Sequence, residues 1–124
     1  MHFALPWPPS VNTYYRNVNG RMLISKRGRE YRAEVAAELA VSGATQALGR
    51  LEVEIQISMP DKRRRDLDNT LKALLDALQH GGAYEDDSQI DRLTVQRLPV
   101  DPPGRAMVFI RELDSQDEQW RTLV

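Results

Sequence analysis

From Leu51 to Met59 apolar and polar side chains alternate without a break: Leu51, Val53, Ile55, Ile57 and Met59 against Glu52, Glu54, Gln56 and Ser58, with Pro60 ending the run. Such a period of two predicts a half-buried strand. Beyond it, Leu67, Leu71, Leu74, Leu75 and Leu78 recur at helical spacing and stop at Gly81-Gly82, which predicts an amphipathic helix starting near Asp66 or Asp68. An earlier helix is expected from about Lys26 to Gln46, capped by Ser25, with Tyr31, Val35 and Leu39 as its apolar stripe; Gly43 weakens it and Gly49 ends it. Ahead of it, Asn19-Gly20 is a two-residue turn signal, so Tyr14 to Val18 and Arg21 to Ile24 are expected to form a small basic hairpin. His2 to Leu5 reads as a short strand, after which Pro6, Pro8 and Pro9 predict an extended, non-helical path through Trp7 toward Asn12. Ile90 to Leu98 and Ala106 to Arg111 read as strands on either side of Pro102-Pro103-Gly104, and they are expected to pair as a hairpin.

This order predicts an α/β (α+β) chain: a small two-layer domain, a mixed β-sheet with two helices packed on one face. A length of 124 residues fits one core. The division read from the sequence is a domain over 1–113 and an acidic tail over 114–124, disordered or a packing arm, with Trp120 as its one large anchor. Composition then excludes whole classes. There is no cysteine, and the only histidines are His2 and His80, which removes disulfide scaffolds, thiol catalysis and Cys-based metal sites and argues against zinc. No apolar run approaches the roughly 18 to 20 residues that cross a bilayer. The opening MHFALPWPPS has neither a basic leader nor an amphipathic transit pattern, so no membrane and a cytoplasmic location are expected.

The net charge of -1 hides blocks of opposite sign. Residues 1–32 hold Arg16, Arg21, Lys26, Arg27, Arg29 and Arg32 against Glu30 alone, whereas residues 73–91 hold Asp76, Glu85, Asp86, Asp87 and Asp91 with no lysine or arginine. Separate basic and acidic zones can hold a polyanion and a divalent cation. Taken alone, the charge pattern favours ordinary solvated faces.

The stretch Asp61 to Lys72, DKRRRDLDNTLK, sets four consecutive cations beside two carboxylates. Asp66 and Asp68 project to one side if the backbone there is still extended, and both then reach one hard cation. Lys72 lies one turn beyond Asp68, close enough to neutralise a phosphate or a leaving alkoxide. A helix from Asp68 to about His80 is roughly 20 Å long, and residues 81–87 span roughly 23 to 25 Å when extended, so Asp86 and Asp87 can return to the helix start. Each feature also has a plainer reading. Asp66 or Asp68 can cap the helix, Arg63 to Arg65 can be a solvated run, and Asp86-Asp87-Ser88 suits an exposed turn. Asp76 reads as an ordinary polar-face residue, His80 as a complement to the helix dipole, and Trp7, Tyr14 and Tyr15 as packing residues rather than base-stacking ones.

Three segments, LPWPPSVNTYYR (Leu5 to Arg16), MPDKRRRDLDNTLKALLDAL (Met59 to Leu78) and YEDDSQID (Tyr84 to Asp91), together resemble the RusA family of Holliday junction resolvases over nearly the whole chain. The resemblance implies that Asp66, Asp68 and Asp87 act with Mg2+, with Mn2+ able to substitute, that Lys72 is catalytic and that Asp86 is an additional ligand. It also implies a homodimer that binds four-way DNA junctions and makes paired, symmetric nicks, which suits a two-fold substrate. The expected activity is therefore a structure-selective endodeoxyribonuclease of DNA recombination and repair, with Arg16, Arg21, Lys62, Arg63, Arg64 and Arg65 on the DNA backbone. The rivals are a non-catalytic DNA-binding module and a small nucleotide phosphohydrolase. Met22 and Leu23, just after the turn, read as core residues first and as an apolar wedge between bases second. The tail is the part least like the family.

Overall fold

The computed structural model describes residues 1–114. Its elements run β1 (His2–Pro6), α1 (Val11–Tyr14), β2 (Tyr15–Val18), β3 (Arg21–Ile24), α2 (Lys26–Val41), β4 (Leu51–Ser58), α3 (Leu71–His80), β5 (Ile90–Leu98) and β6 (Arg105–Glu112). The acidic tail and its Trp120 lie, Asp114 apart, outside the described residues. No described helix is long and apolar enough to cross a membrane.

The alternating strand takes the middle of a four-stranded sheet of order β1-β6-β4-β5. Leu51, Val53, Ile55 and Ile57 are fully buried on one of its faces, and both of its edges are hydrogen-bonded, antiparallel to β6 and parallel to β5. The expected β5–β6 hairpin therefore does not form, because β4 lies between the two strands. Their connection instead passes over the end of β4: Asp101 N–H donates to the Met59 carbonyl at 3.0 Å. Gly104, at φ +89°, packs so tightly on Pro60 that a Cβ would lie 3.1 Å from its backbone nitrogen. A strand with a fully apolar face gains most from flanking strands on both sides. β1 closes the other edge, with Phe3 opposite Val108 and Leu5 opposite Ala106.

The two long helices cover the apolar face, as expected. Tyr31, Val35 and Leu39 from α2 meet Ala73, Leu74, Ala77 and Leu78 from α3 in one core with the strand residues, and the Tyr31 hydroxyl donates to the Pro6 carbonyl at 2.9 Å. Ser25 caps α2 by accepting from Gly28 N–H at 2.9 Å. The helix stops at Val41, short of the expected Gln46, because Gly43 turns left-handed at φ +69° and Ala44 N–H folds back to the Leu39 carbonyl. The proline-rich segment also departs from its expected path: once past Pro9, the Ser10 carbonyl accepts from Thr13 and Tyr14 N–H groups and closes the single turn of α1.

Asn19 and Gly20, with φ of +53° and +80°, form the expected tight turn between β2 and β3. This hairpin is a separate two-stranded sheet. It is pinned to α2 at Gly28, where a Cβ would stand 2.4 Å from the Tyr14 carbonyl oxygen and 2.7 Å from Ile24. Gly28→Ala is expected to cost about 1–3 kcal/mol of folding stability, the scale of overpacking in a closed site, measured by urea denaturation; an unchanged midpoint would show that the contact can open freely.

Candidate active site

After β4 the cations fold around an acid. Arg65 donates to both oxygens of Asp61, and Arg63 N–H donates to it at 2.9 Å; the Arg65 bonds above all hold the Asp61 carboxyl down to about 2. The Arg65 guanidinium also lies 5.8 Å from the centre of the Trp7 ring. Lys62, Arg63 and Arg64 are exposed, as are Arg16 on β2 and Arg21 on β3, while Arg65 is half-buried.

Asp66 keeps an extended backbone (φ -74°, ψ 140°), but Leu67–Thr70 already forms a 3-10 turn leading into α3. The condition for Asp66 and Asp68 to share a side, extended chain through both, is not met. Neither carboxylate acts as a cap or bonds another described residue, so the capping alternative fails for both. Asp68 does line an open cleft of about 650 Å³, together with Lys72, Asp76, Gln79, Asp86 and Asp87 and the side chains of Tyr15, Leu71, Leu75 and Leu93. Asp66 stands outside that lining. Lys72 lies one turn along α3, with its Nζ 5.6 Å from the centre of the Tyr15 ring.

The loop carrying Asp86 and Asp87 folds back on α3 and shares a cleft with Asp68, but it docks at Leu75 and Gln79, beyond the helix start expected from the sequence. Tyr84 is fully buried and its hydroxyl donates to the Leu75 carbonyl at 2.7 Å. Gln89 accepts from Glu85 and Asp86 N–H groups at 3.0 Å each, and Gln79 accepts from Asp87 N–H at 2.9 Å, which ties the loop to the helix. The plainer reading of Asp86 holds in part, since its carboxylate accepts from Ser88 N–H and caps a short turn. That bond holds Asp86 below the usual carboxylate range. Asp87 is pushed the other way, first by burial and then by the charges of Asp86 and Asp76, with Lys72 opposing. Asp91 belongs elsewhere, bonded by Arg50 at 2.6 and 3.0 Å.

Asp76 is more than a polar-face residue. Arg32 on α2 donates to its Oδ2 through Nε and Nη2, at 3.0 and 2.8 Å, and the buried Tyr14 hydroxyl donates to the same oxygen. Arg32 Nε also reaches the Tyr14 oxygen at 2.9 Å. Burial and the Asp76 bond raise the Tyr14 hydroxyl well above its ordinary range. All three donors sit on Oδ2, leaving the other oxygen free of hydrogen bonds among the described residues. The signal available in the sequence was the i, i+4 spacing from Lys72, which puts Asp76 on the same face; its arginine partner, forty-odd residues upstream, has no local signature.

The donor set suits a hard divalent cation: oxygen-only and carboxylate-rich, with the charges of Asp86 and Asp76 adding to burial in raising Asp87. Among the described residues, however, no three acidic or histidine side chains stand close enough to share one ion, so assembly of the full set requires side-chain movement.

An α+β domain whose cleft gathers carboxylates and a lysine beside exposed cations has the parts of a metal-assisted nuclease of the kind that cuts DNA internally. Comparison with known proteins makes this specific: the family model described as Endodeoxyribonuclease RusA matches residues 6–111, and the chain belongs to that family. It is 44% identical over 116 residues to the crossover junction endodeoxyribonuclease rusA of Enterobacteria phage HK97, covering 91% of this chain and 95% of that protein. The protein of the same name from Enterobacteria phage 82 is 42% identical over 118 residues (93% and 97% covered), and that of Escherichia coli K12 is 41% identical over 116 residues (91% and 95% covered). The chain is thus an endodeoxyribonuclease of the RusA family.

A raised Asp87 means that folding disfavours its ionisation. Its cost is absent below the carboxylate range and grows as pH rises through it. Asp87→Asn is therefore expected to raise the melting temperature of the metal-free protein at pH 7 and to leave it unchanged near pH 3, read by differential scanning calorimetry. Equal shifts at both values would assign the effect to packing.

Proposed function

We propose that the chain resolves four-way DNA junctions by paired, symmetric nicks, using Mg2+ and acting as a homodimer. The observation that carries this reading is the convergence of Asp68, Lys72, Asp86 and Asp87 on one cleft, in a chain whose relatives are named crossover junction endodeoxyribonucleases. On this reading Asp66, Asp68 and Asp87 hold the metal, with Asp86 as a further ligand, and Asp66 swings toward the cleft to join them. The bound ion supplies Lewis acidity and lowers the pKa of water at the scissile phosphate. Mn2+ meets the same oxygen chemistry and is expected to substitute.

The protein's own groups do the rest. Lys72 places an ammonium in the cleft, where it stabilises charge developing on the phosphate and the departing oxygen. Gln79 fixes the backbone of Asp87 against α3, so the carboxylate is oriented before substrate arrives. Lys62, Arg63 and Arg64, with Arg16 and Arg21, are exposed and contact backbone phosphates, giving binding that falls steeply with salt and reads little sequence. Arg65, engaged with Asp61, supports that segment and presents its remaining face to DNA. Two copies related by a two-fold axis match the symmetry of a junction. The working unit is the domain over 1–113, acting in the cytoplasm on recombination and repair intermediates.

The test is incubation of a labelled mobile four-way junction and its linear counterpart with purified protein, with and without Mg2+, resolved on a denaturing gel. Paired nicks in the junction alone, only with Mg2+, are expected. Asp68→Asn should abolish them, a loss of at least about 100-fold for a residue at the reacting centre, while junction binding in a gel shift is kept or tightened by removal of a negative charge. A shifted but uncut wild-type complex would mean a binding module; hydrolysis of free nucleoside triphosphates instead would mean a nucleotide phosphohydrolase.

A further inference from the structure

The β2–β3 hairpin carries a feature that the cleft does not account for. Met22 and Leu23 are adjacent on β3 and 61% and 41% exposed, which overturns the expectation that they are core residues: the two-stranded ribbon stands apart from the main sheet and gives its outer half nothing to pack against. Isolated exposed apolar side chains are common, so exposure alone carries no weight. Four further observations give this pair a direction.

The first is register. Tyr15 opposes Ile24 and Asn17 opposes Met22, so Tyr15 and Met22 lie on one face of the ribbon, two residue steps or roughly 7 Å apart along it. Tyr15 lines the acidic cleft, and Met22 therefore extends the same wall outward. The second is charge: Arg16 opposes Leu23 and Arg21 opposes Val18, so both guanidinium groups lie around Leu23 on the ribbon's other face, both exposed and neither bonded to another described residue. The third is stiffness at the tip, where Gly20 N–H donates to Asn17 Oδ1 at 3.0 Å across the Asn19-Gly20 turn. The fourth is anchorage at the base. Ser25 N–H donates to the Tyr14 carbonyl at 2.9 Å, and Ile24 packs on Gly28.

A rigid ribbon with an exposed apolar side chain on each face, just behind its turn, and two guanidinium groups beside one of them complements a partner that is anionic along its edges and flat and apolar within. Stacked nucleic acid bases between phosphate strands have that composition, and a base step that is already weakened, as at a branch point, admits an inserted side chain at least cost. We propose that the hairpin is a wedge: Met22 on one face of the ribbon and Leu23 on the other enter the stack at the branch of a DNA junction, while Arg16 and Arg21, on the face of Leu23, hold the neighbouring phosphates. Because the tip is fixed before binding, little ordering entropy opposes insertion. The proposal rests on the junction reading above and adds a site that opens the branch beside the cleft.

The experiment uses the full chain carrying Asp68→Asn, so that DNA stays intact, and a four-way junction with 2-aminopurine at the branch point. Binding is followed by anisotropy of a distant dye, and unstacking by 2-aminopurine emission. Saturating protein is expected to raise the emission several-fold. Adding Met22→Ser and Leu23→Ser should remove that rise while junction affinity stays within a factor of a few. Arg16→Gln with Arg21→Gln should instead weaken binding and lower the slope of log affinity against log salt by about two, one per lost cation contact. Emission that rises equally with the Ser variant, or never rises on a bound junction, overturns the wedge and leaves the resolvase reading standing. Failure of the Asp68→Asn protein to bind the junction overturns both. A Ser variant that sediments as a smaller species, or a wild-type hairpin that binds anionic vesicles in preference to junctions, assigns the apolar pair to a second copy or to a membrane surface and also overturns the proposal.

Discussion

Three donors converge on one oxygen of Asp76: the Tyr14 hydroxyl from α1 and two nitrogens of Arg32 from α2. Asp76 itself belongs to α3, so this knot fixes the three helices relative to one another at the floor of the cleft. Hydrogen bonds involving charged groups contribute about 1.5–3 kcal/mol each when shielded, and this one is only partly open to water, with Arg32 and Asp76 side chains 24% and 28% exposed. Tyr14 leads directly into Tyr15 and the hairpin. Gln79, one turn further along α3, carries the loop of Asp87. The hairpin wall and the Asp87 loop are therefore both referred to one helix that the Asp76 carboxylate ties to α1 and α2.

Much of this was legible in the chain. The alternation over Leu51 to Met59, the Asn19-Gly20 turn and the leucine spacing of α3 are local signals, and each describes an element whose neighbours do not alter its conformation. What was not legible is what depends on distant partners. That β4 separates β5 from β6 follows from competition among strands for the most apolar face, and the short turn between them gives no hint of it. The shared side of Asp66 and Asp68 fails because the 3-10 turn already begins at Leu67, between them. Asp76 was passed over because a carboxylate on a helix is ordinary until an arginine from another helix is placed against it. Chain length allowed Asp86 and Asp87 to reach the start of α3, but where the loop docks, at Leu75 and Gln79, is set by the Tyr84 hydroxyl and the Gln79 amide, which have no local signature.

The basic segment divides its labour in the same way. Four cations in succession look equivalent in sequence, yet Arg65 is turned inward by Asp61 and shelved against Trp7, Arg63 is exposed but also pairs with Asp61 at 3.4 Å, and Lys62 and Arg64 stay in water. One member of the run thus stiffens the strand-to-helix connection that carries Asp66 and Asp68, and the others remain available to an anionic partner. A net charge near zero coexists with local fields because, beside the many ion pairs, cations such as Lys62, Arg64, Arg16 and Arg21 are sorted away from the acids of the cleft.

The strand order also bears on how the chain is made. Among the described strands β1 pairs with β6, His2 opposite Phe109, so it has no strand partner until the chain has been made past Phe109. Such a pairing carries a large sequence separation and a correspondingly late place in folding. On the ribosome, α2, β4 and α3 emerge early enough to collapse on one another, but the edge beside β4 stays open until β6 arrives. Closure of the fold, and with it a settled N-terminal segment leading to Tyr14, thus waits on release of the last strand from the exit tunnel, which leaves the half-made chain unable to organise its cleft.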